Sequence, residues 1–222
     1  MTPVKKYDER YFERWYRRST VGVGVREFVA RKVLLAVAAT EYLIGRELAS
    51  VLDIGCGEAP WRAILKQLRP DVSYAGVDSS EYAVRRYGRT RNIRRGSVGE
   101  LSEAGFAGPY DLVVCADVLH YVPTAEARSG LATMHALCGG VAFLEAFTSV
   151  DAIEGDRKLL GIGDLAGVDV MAQRHTTVSV QRIAQAHLSQ VVPALLLVTA
   201  LSQCITLVGA GDKSVKVGGI VG

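Results

Sequence analysis

Between Ser50 to Ile54, which reads as a short buried strand, and a proline-led segment opening at Pro60, the chain carries Gly55 and Gly57 one residue apart, in the stretch VLDIGCGEAPW. A buried strand that ends on glycines must turn sharply and hand over to a helix. The missing Cβ atoms let a ligand lie close against the bend. Pro60 suits the first helical position, where its fixed φ helps and its absent N–H costs nothing. Such a unit folds only when further strands lie beside it, so the rest of the chain must supply them.

It does. SYAGVD (73–78) is predicted as the second strand, SEYAVRRYG as the next helix and NIRR as a third strand. YDLVVCA (110–116) reads as a fourth strand, Pro123 to Cys138 as a long helix, and GGVAFLEAF (139–147) as a fifth strand. Short apolar strands alternating with helices imply an α/β fold. The expected form is a doubly wound, mostly parallel Rossmann-like sheet with helices on both faces. Upstream, Tyr7, Tyr11, Phe12, Trp15 and Tyr16 recur near helical spacing, which predicts a short amphipathic helix. A second helix is expected from about Val25 to Ile44, with Phe28, Val33, Val37 and Ile44 near one face and Gly45 as its stop. Residues 1–45 are thus expected to be an N-terminal helical segment and 46–222 the main domain.

Composition narrows the class. Hydrophobic residues make up 49% and charged residues 22% of 222, which is globular. A net charge of +3 is too mild to argue for nucleic acid, and the run Arg85, Arg86, Arg89, Arg91, Arg94 and Arg95 reads first as a solvated surface. Cys56, Cys115, Cys138 and Cys204 form no CxxC pair, so no metal site is expected. The opening residues lack the apolar core of a secretory signal, and a cytoplasmic setting is the default expectation. Val191 to Val208 is long and apolar, but Pro193, Thr199, Ser202, Gln203 and Thr206 interrupt it. Two buried strands, VVPALLLV and CITLV, explain it without a membrane.

The chemistry gathers at the strand ends. A dinucleotide loop wants a third glycine at position 60, and Pro60 stands there. Asp53 and Glu58 flank the bend and would repel a diphosphate, yet they suit a cationic ligand. S-adenosylmethionine, with its ammonium and sulfonium, has the right sign. Asp78, 23 positions after Gly55, is placed to accept ribose hydroxyls; its bland alternative is an N-cap for the helix beginning near Ser80.

VLDIGCGEAPW, YAGVDSSEYAV and YDLVVCADVLHYV, in that order, resemble the first, second and fourth motifs of class I S-adenosylmethionine-dependent methyltransferases, over roughly residues 50 to 147. The aromatic opening is similar to the cap helix of small-molecule members. The resemblance implies that Asp53 reaches the methionine amine, that Gly55, Cys56 and Gly57 lie under the methionine portion, and that Asp78 and Ser79 face the ribose. Ser97 and Val98, after Gly96, take the place where an acid usually meets the adenine. Ala116 and Asp117 follow the fourth strand as cofactor or substrate contacts. Tyr11 and Tyr16 are candidates to cover the cofactor, because a hydroxyl reaches a carboxylate. The family's third loop glycine is replaced by Ala59.

Methyl transfer needs a base only when the acceptor arrives protonated. His120, just beyond the fourth strand, is the candidate catalytic residue. Glu145 and Ala146 are expected near the acceptor pocket. No NPPY or DPPY tetrad is present, which argues against base amines in nucleic acid. A small-molecule acceptor is expected, the alternatives being an RNA or protein methyltransferase or a non-catalytic nucleoside-binding module of the same fold. The resemblance also implies a C-terminal antiparallel hairpin, for which VVPALLLV and CITLV serve, and a helix, for which Thr177 to Leu188 serves. No aromatic residue follows Phe147, so an atypical tail is expected from about residue 160, with GDKSVKVGGIVG as a loose end.

Overall fold

The computed structural model describes residues 6–19, 22–146, 194–199, 205–209 and 214–217. The expected helix at Thr177 to Leu188 and most of the tail from about 160 lie outside the described residues.

Eight strands form one sheet: β1 Ser50–Ile54, β2 Ser73–Asp78, β3 Ile93–Arg95, β4 Tyr110–Ala116, β5 Cys138–Ala146, β6 Ala194–Thr199, β7 Ile205–Gly209 and β8 Ser214–Val217. Their order is β3-β2-β1-β4-β5-β6-β7-β8. Every pairing from β3 to β6 is parallel, while β6–β7 and β7–β8 are antiparallel. The expected hairpin is therefore present as β6 and β7. The loose end expected after it is corrected in part, because its SVKV forms β8.

Alternation fixes the layers. Leu52, Ile54, Ala75, Val77, Val113, Cys115, Ala142 and Leu144 point to one side. Val51, Tyr74, Leu112, Val114, Val141 and Phe143 point to the other. Both sets are buried, as a parallel sheet covered on both faces requires. The helices are α1 Glu9–Phe12, α2 Arg26–Ile44, α3 Pro60–Leu68, α4 Glu81–Arg91 and α5 Thr124–Leu137. Residues of α5 pack on the first side, and those of α2 and α3 on the second, where Trp61 meets Phe143 at 5.3 Å.

Local chemistry explains the helix ends. Gly45 stops α2 in the left-handed region at φ 69°, and Pro60 opens α3. The buried face of α2 is Val29, Val33, Ala36, Val37 and Thr40. Phe28 is 45% exposed, so its expected place beside Val33 and Val37 is corrected: the stripe runs one residue further on. Within the aromatic opening only Glu9–Phe12 is α-helical, and Glu13–Arg17 widens into a π turn. Among the described residues, no helix is long and apolar enough to cross a membrane.

Candidate active site

The strand order reverses between β1 and β4, and the crevice beyond their carboxyl ends is where doubly wound sheets bind ligands. The bend after β1 is tied there, since Gly55 and Cys56 both donate backbone hydrogen bonds to the Val77 carbonyl, at 2.8 and 3.1 Å. Gly55 and Gly57 adopt φ 70° and 54°. A Cβ on Gly55 would collide with Val118, and one on Gly57 with the Tyr16 hydroxyl, so both positions demand glycine on two counts.

Asp53 and Asp78 stand on either side of this bend. Asp78 accepts the Gly57 N–H and the Ser80 N–H, each at 2.7 Å. Ser80 caps α4 through its own hydroxyl, which accepts from the Ala83 N–H at 3.1 Å. The cap is therefore Ser80, and Asp78 is left to the bend. Burial raises the Asp78 carboxyl above its usual range, against the two backbone donors. Asp53 accepts from the Tyr74 phenol at 2.7 Å. Burial pushes its carboxyl up to about 7, opposed by the Tyr74 hydrogen bond and reinforced by the charge of Asp78. Among the described residues neither acid has a Lys or Arg partner in an ion pair. Two buried acids with no ion-pair partner among the described residues suit a positively charged nucleoside.

The aromatic opening lies over this region. Phe12 is buried on Tyr82, with ring centroids 5.4 Å apart, and Tyr11 and Tyr16 pack around it. Tyr7 and Arg17 pin the segment down. The Tyr7 carbonyl accepts the Ser80 hydroxyl at 2.6 Å, and Arg17 pairs with Glu58 at 2.6 Å. Burial raises both Tyr11 and Tyr16, which therefore remain neutral phenols.

The residues expected near the adenine, Ser97 and Val98, divide. Ser97 bonds Glu100 at 3.0 Å and lines a cavity of about 390 Å³ with Gly99, Glu100, Ala125, Glu126 and Ser129. The Val98 side chain is buried in the core beneath. Ser79 is exposed, and Cys56 is buried under the bend. Beyond β4, Ala116 and Asp117 are half-buried, whereas His120 is buried with its ring 4.0 Å from that of Tyr121.

Sequence reasoning passed over one residue here. Lys32 of α2 reaches Asp117 at 2.9 Å and Glu145, near the end of β5, at 2.6 Å. The signal was its position, because Lys32 falls within the buried stripe between Val29 and Val33. Of the arginine run, Arg91 reaches the Glu58 carbonyl and covers Tyr87, while Arg94 bonds the Ala104 and Gly105 carbonyls. These arginines serve the fold.

Residues 24–195 match a family described as a methyltransferase domain. This chain belongs to that family. No curated protein matches the chain by sequence. Among solved structures, the plantazolicin methyltransferase BpumL in complex with SAH is similar, with 14% identity, a TM-score of 0.57, and coverage of 72% of this chain and 62% of that one. The same enzyme with a pentazolic desmethylPZN analogue and SAH gives 15% identity, a TM-score of 0.57, and coverage of 80% and 66%. The chain thus spans less than two thirds of these proteins, and the likeness is one of fold.

Proposed function

We propose that this chain is an S-adenosylmethionine-dependent methyltransferase acting on a small-molecule acceptor. The observation that carries it is the pair of buried acids, Asp53 and Asp78, beside the glycine bend, neither of which forms an ion pair with a lysine or arginine among the described residues, whereas Glu58 is taken up by Arg17. Asp78 takes the ribose hydroxyls, Asp53 the methionine ammonium, and the backbone of Gly55, Cys56 and Gly57 lies beneath. Ser79, Ser97 and Val98 border the ribose and adenine, Ala116 and Asp117 flank the transfer region, and Tyr11 and Tyr16 close the cap formed by residues 1–45 over the domain 46–222. When bound, S-adenosylmethionine supplies an electrophilic methyl on sulfonium.

The chain's own task is alignment and exclusion of water. His120 is proposed as a catalytic residue on its place just past β4, where it is 2% exposed. The cysteine pattern supports a cytoplasmic setting. Calorimetry tests the reading directly. S-adenosylhomocysteine is expected to bind and NAD to leave no heat; saturable NAD binding with none for the nucleoside would sink it.

A further inference from the structure

Asp117 and Glu145 meet at the carboxyl edge of β4 and β5. The Asp117 N–H donates to the Glu145 carbonyl at 3.0 Å, and Asp117 sits in the left-handed region at φ 60°, a strained conformation for a residue with a Cβ. Lys32 crosses from α2 to both carboxylates, at 2.9 and 2.6 Å. The Glu145 side chain is 4% exposed and that of Asp117 37%, so the cluster opens to solvent on the Asp117 side. It also adjoins the cofactor bend, because the next residue, Val118, covers Gly55. Buried ion pairs contribute little net stability, since desolvation offsets their attraction. A half-buried lysine bridge that holds a buried glutamate at the sheet's carboxyl edge therefore points toward function.

We propose that Glu145, held by Lys32 beside Asp117, takes the proton from the acceptor, and that the acceptor is an amine entering as its ammonium. This deepens the methyl-transfer reading above and rests on it. Two carboxylates facing one lysine leave one negative charge uncompensated, which an ammonium matches and an anionic acceptor does not. The ammonium N–H bond breaks and its proton passes to the Glu145 carboxylate. The freed nitrogen pair forms the N–C bond as the methyl's C–S bond breaks, its electrons remaining on sulfur. Glu145 then returns the proton to solvent. Burial pushes the Glu145 carboxyl up to about 7, with the charge of Asp117 adding and that of Lys32 opposing, and a base works best when so matched to neutral pH. Lys32 is a positioning residue. Burial alone would lower its proton affinity, but Asp117 and Glu145 outweigh burial and keep it charged.

Sinefungin provides the probe, because a carbon bearing a primary amine replaces its methylsulfonium and sets an ammonium where the acceptor nitrogen would approach. Calorimetry on the full chain compares it with S-adenosylhomocysteine. Wild type is expected to prefer sinefungin about tenfold above neutral pH. The preference shrinks as pH falls through about 7 and Glu145 takes up its proton. Glu145→Gln abolishes the preference while S-adenosylhomocysteine affinity stays within about twofold, which also shows that the variant is folded. Lys32→Met moves the pH midpoint upward, since the lysine charge holds it down. A preference that survives Glu145→Gln, or that ignores pH, overturns the proposal. Failure of wild type to bind either nucleoside would remove the methyl-transfer reading itself.

Discussion

At position 57 glycine is required twice, by a left-handed backbone at φ 54° and by the Tyr16 hydroxyl above it. Two residues on, Ala59 adopts φ 57° at the start of α3 and is buried. The two positions should respond oppositely to exchange. Gly57→Ala adds left-handed strain of about 1–2 kcal/mol and displaces Tyr16. Calorimetry should therefore show at least about a tenfold loss of S-adenosylhomocysteine affinity. Ala59→Gly relieves similar strain but loses a buried methyl of about 0.8 kcal/mol and stiffness in the unfolded chain. Its unfolding free energy in chemical denaturation should change by less than about 1 kcal/mol. A tolerated Gly57→Ala would mean that Tyr16 does not close on the bend. That Ala59 accepts the glycine conformation explains why the missing third glycine did not alter the fold.

Among the elements, β1 and β4 define the ligand edge, and one acid staples their opposite ends. Asp111, at the start of β4, accepts two hydrogen bonds from Arg46, at 2.9 and 2.6 Å, and the Ala49 N–H at 2.8 Å. The Arg46 hydrogen bonds hold its carboxyl below the usual range, against burial. Arg46 is 56% exposed, so solvent screens the charge pair and the buried backbone donor matters more. Asp111→Asn should cost about 1–2 kcal/mol at neutral pH in chemical denaturation. Because the folded carboxyl is depressed, its contribution is complete above the unfolded pKa of about 3.9. It fades as pH falls below that value through the folded one, so wild type and variant should converge in acid. Equal stability at neutral pH would show that the staple carries nothing.

Across the whole molecule, the strands were legible because a sheet buried on both faces writes each strand as a short apolar run between glycines and caps. β1, β2 and β4 begin and end where those runs do. The positions of Asp53 and Asp78 were legible too, since each ends or nearly ends a strand. Phe28 was misjudged because α2 turns its stripe toward Val29, a tertiary choice that spacing alone leaves open. β8 escaped notice because SVKV is only four residues long, is flanked by Gly211 and Gly218, and takes its partner from β7. The Lys32 bridge joins residues 85 positions apart in its Asp117 arm, and no local pattern announces such a contact. What unites the molecule is a glycine bend held between two buried acids, Asp53 and Asp78, at the reversal of strand order. Asp78→Asn tests it most directly: the amide cannot accept from Gly57 and Ser80 and also serve two ribose hydroxyls. With near-ultraviolet circular dichroism unchanged, calorimetry should record a loss of S-adenosylhomocysteine affinity of about tenfold or more. Undiminished binding by a folded Asp78→Asn protein would contradict the site.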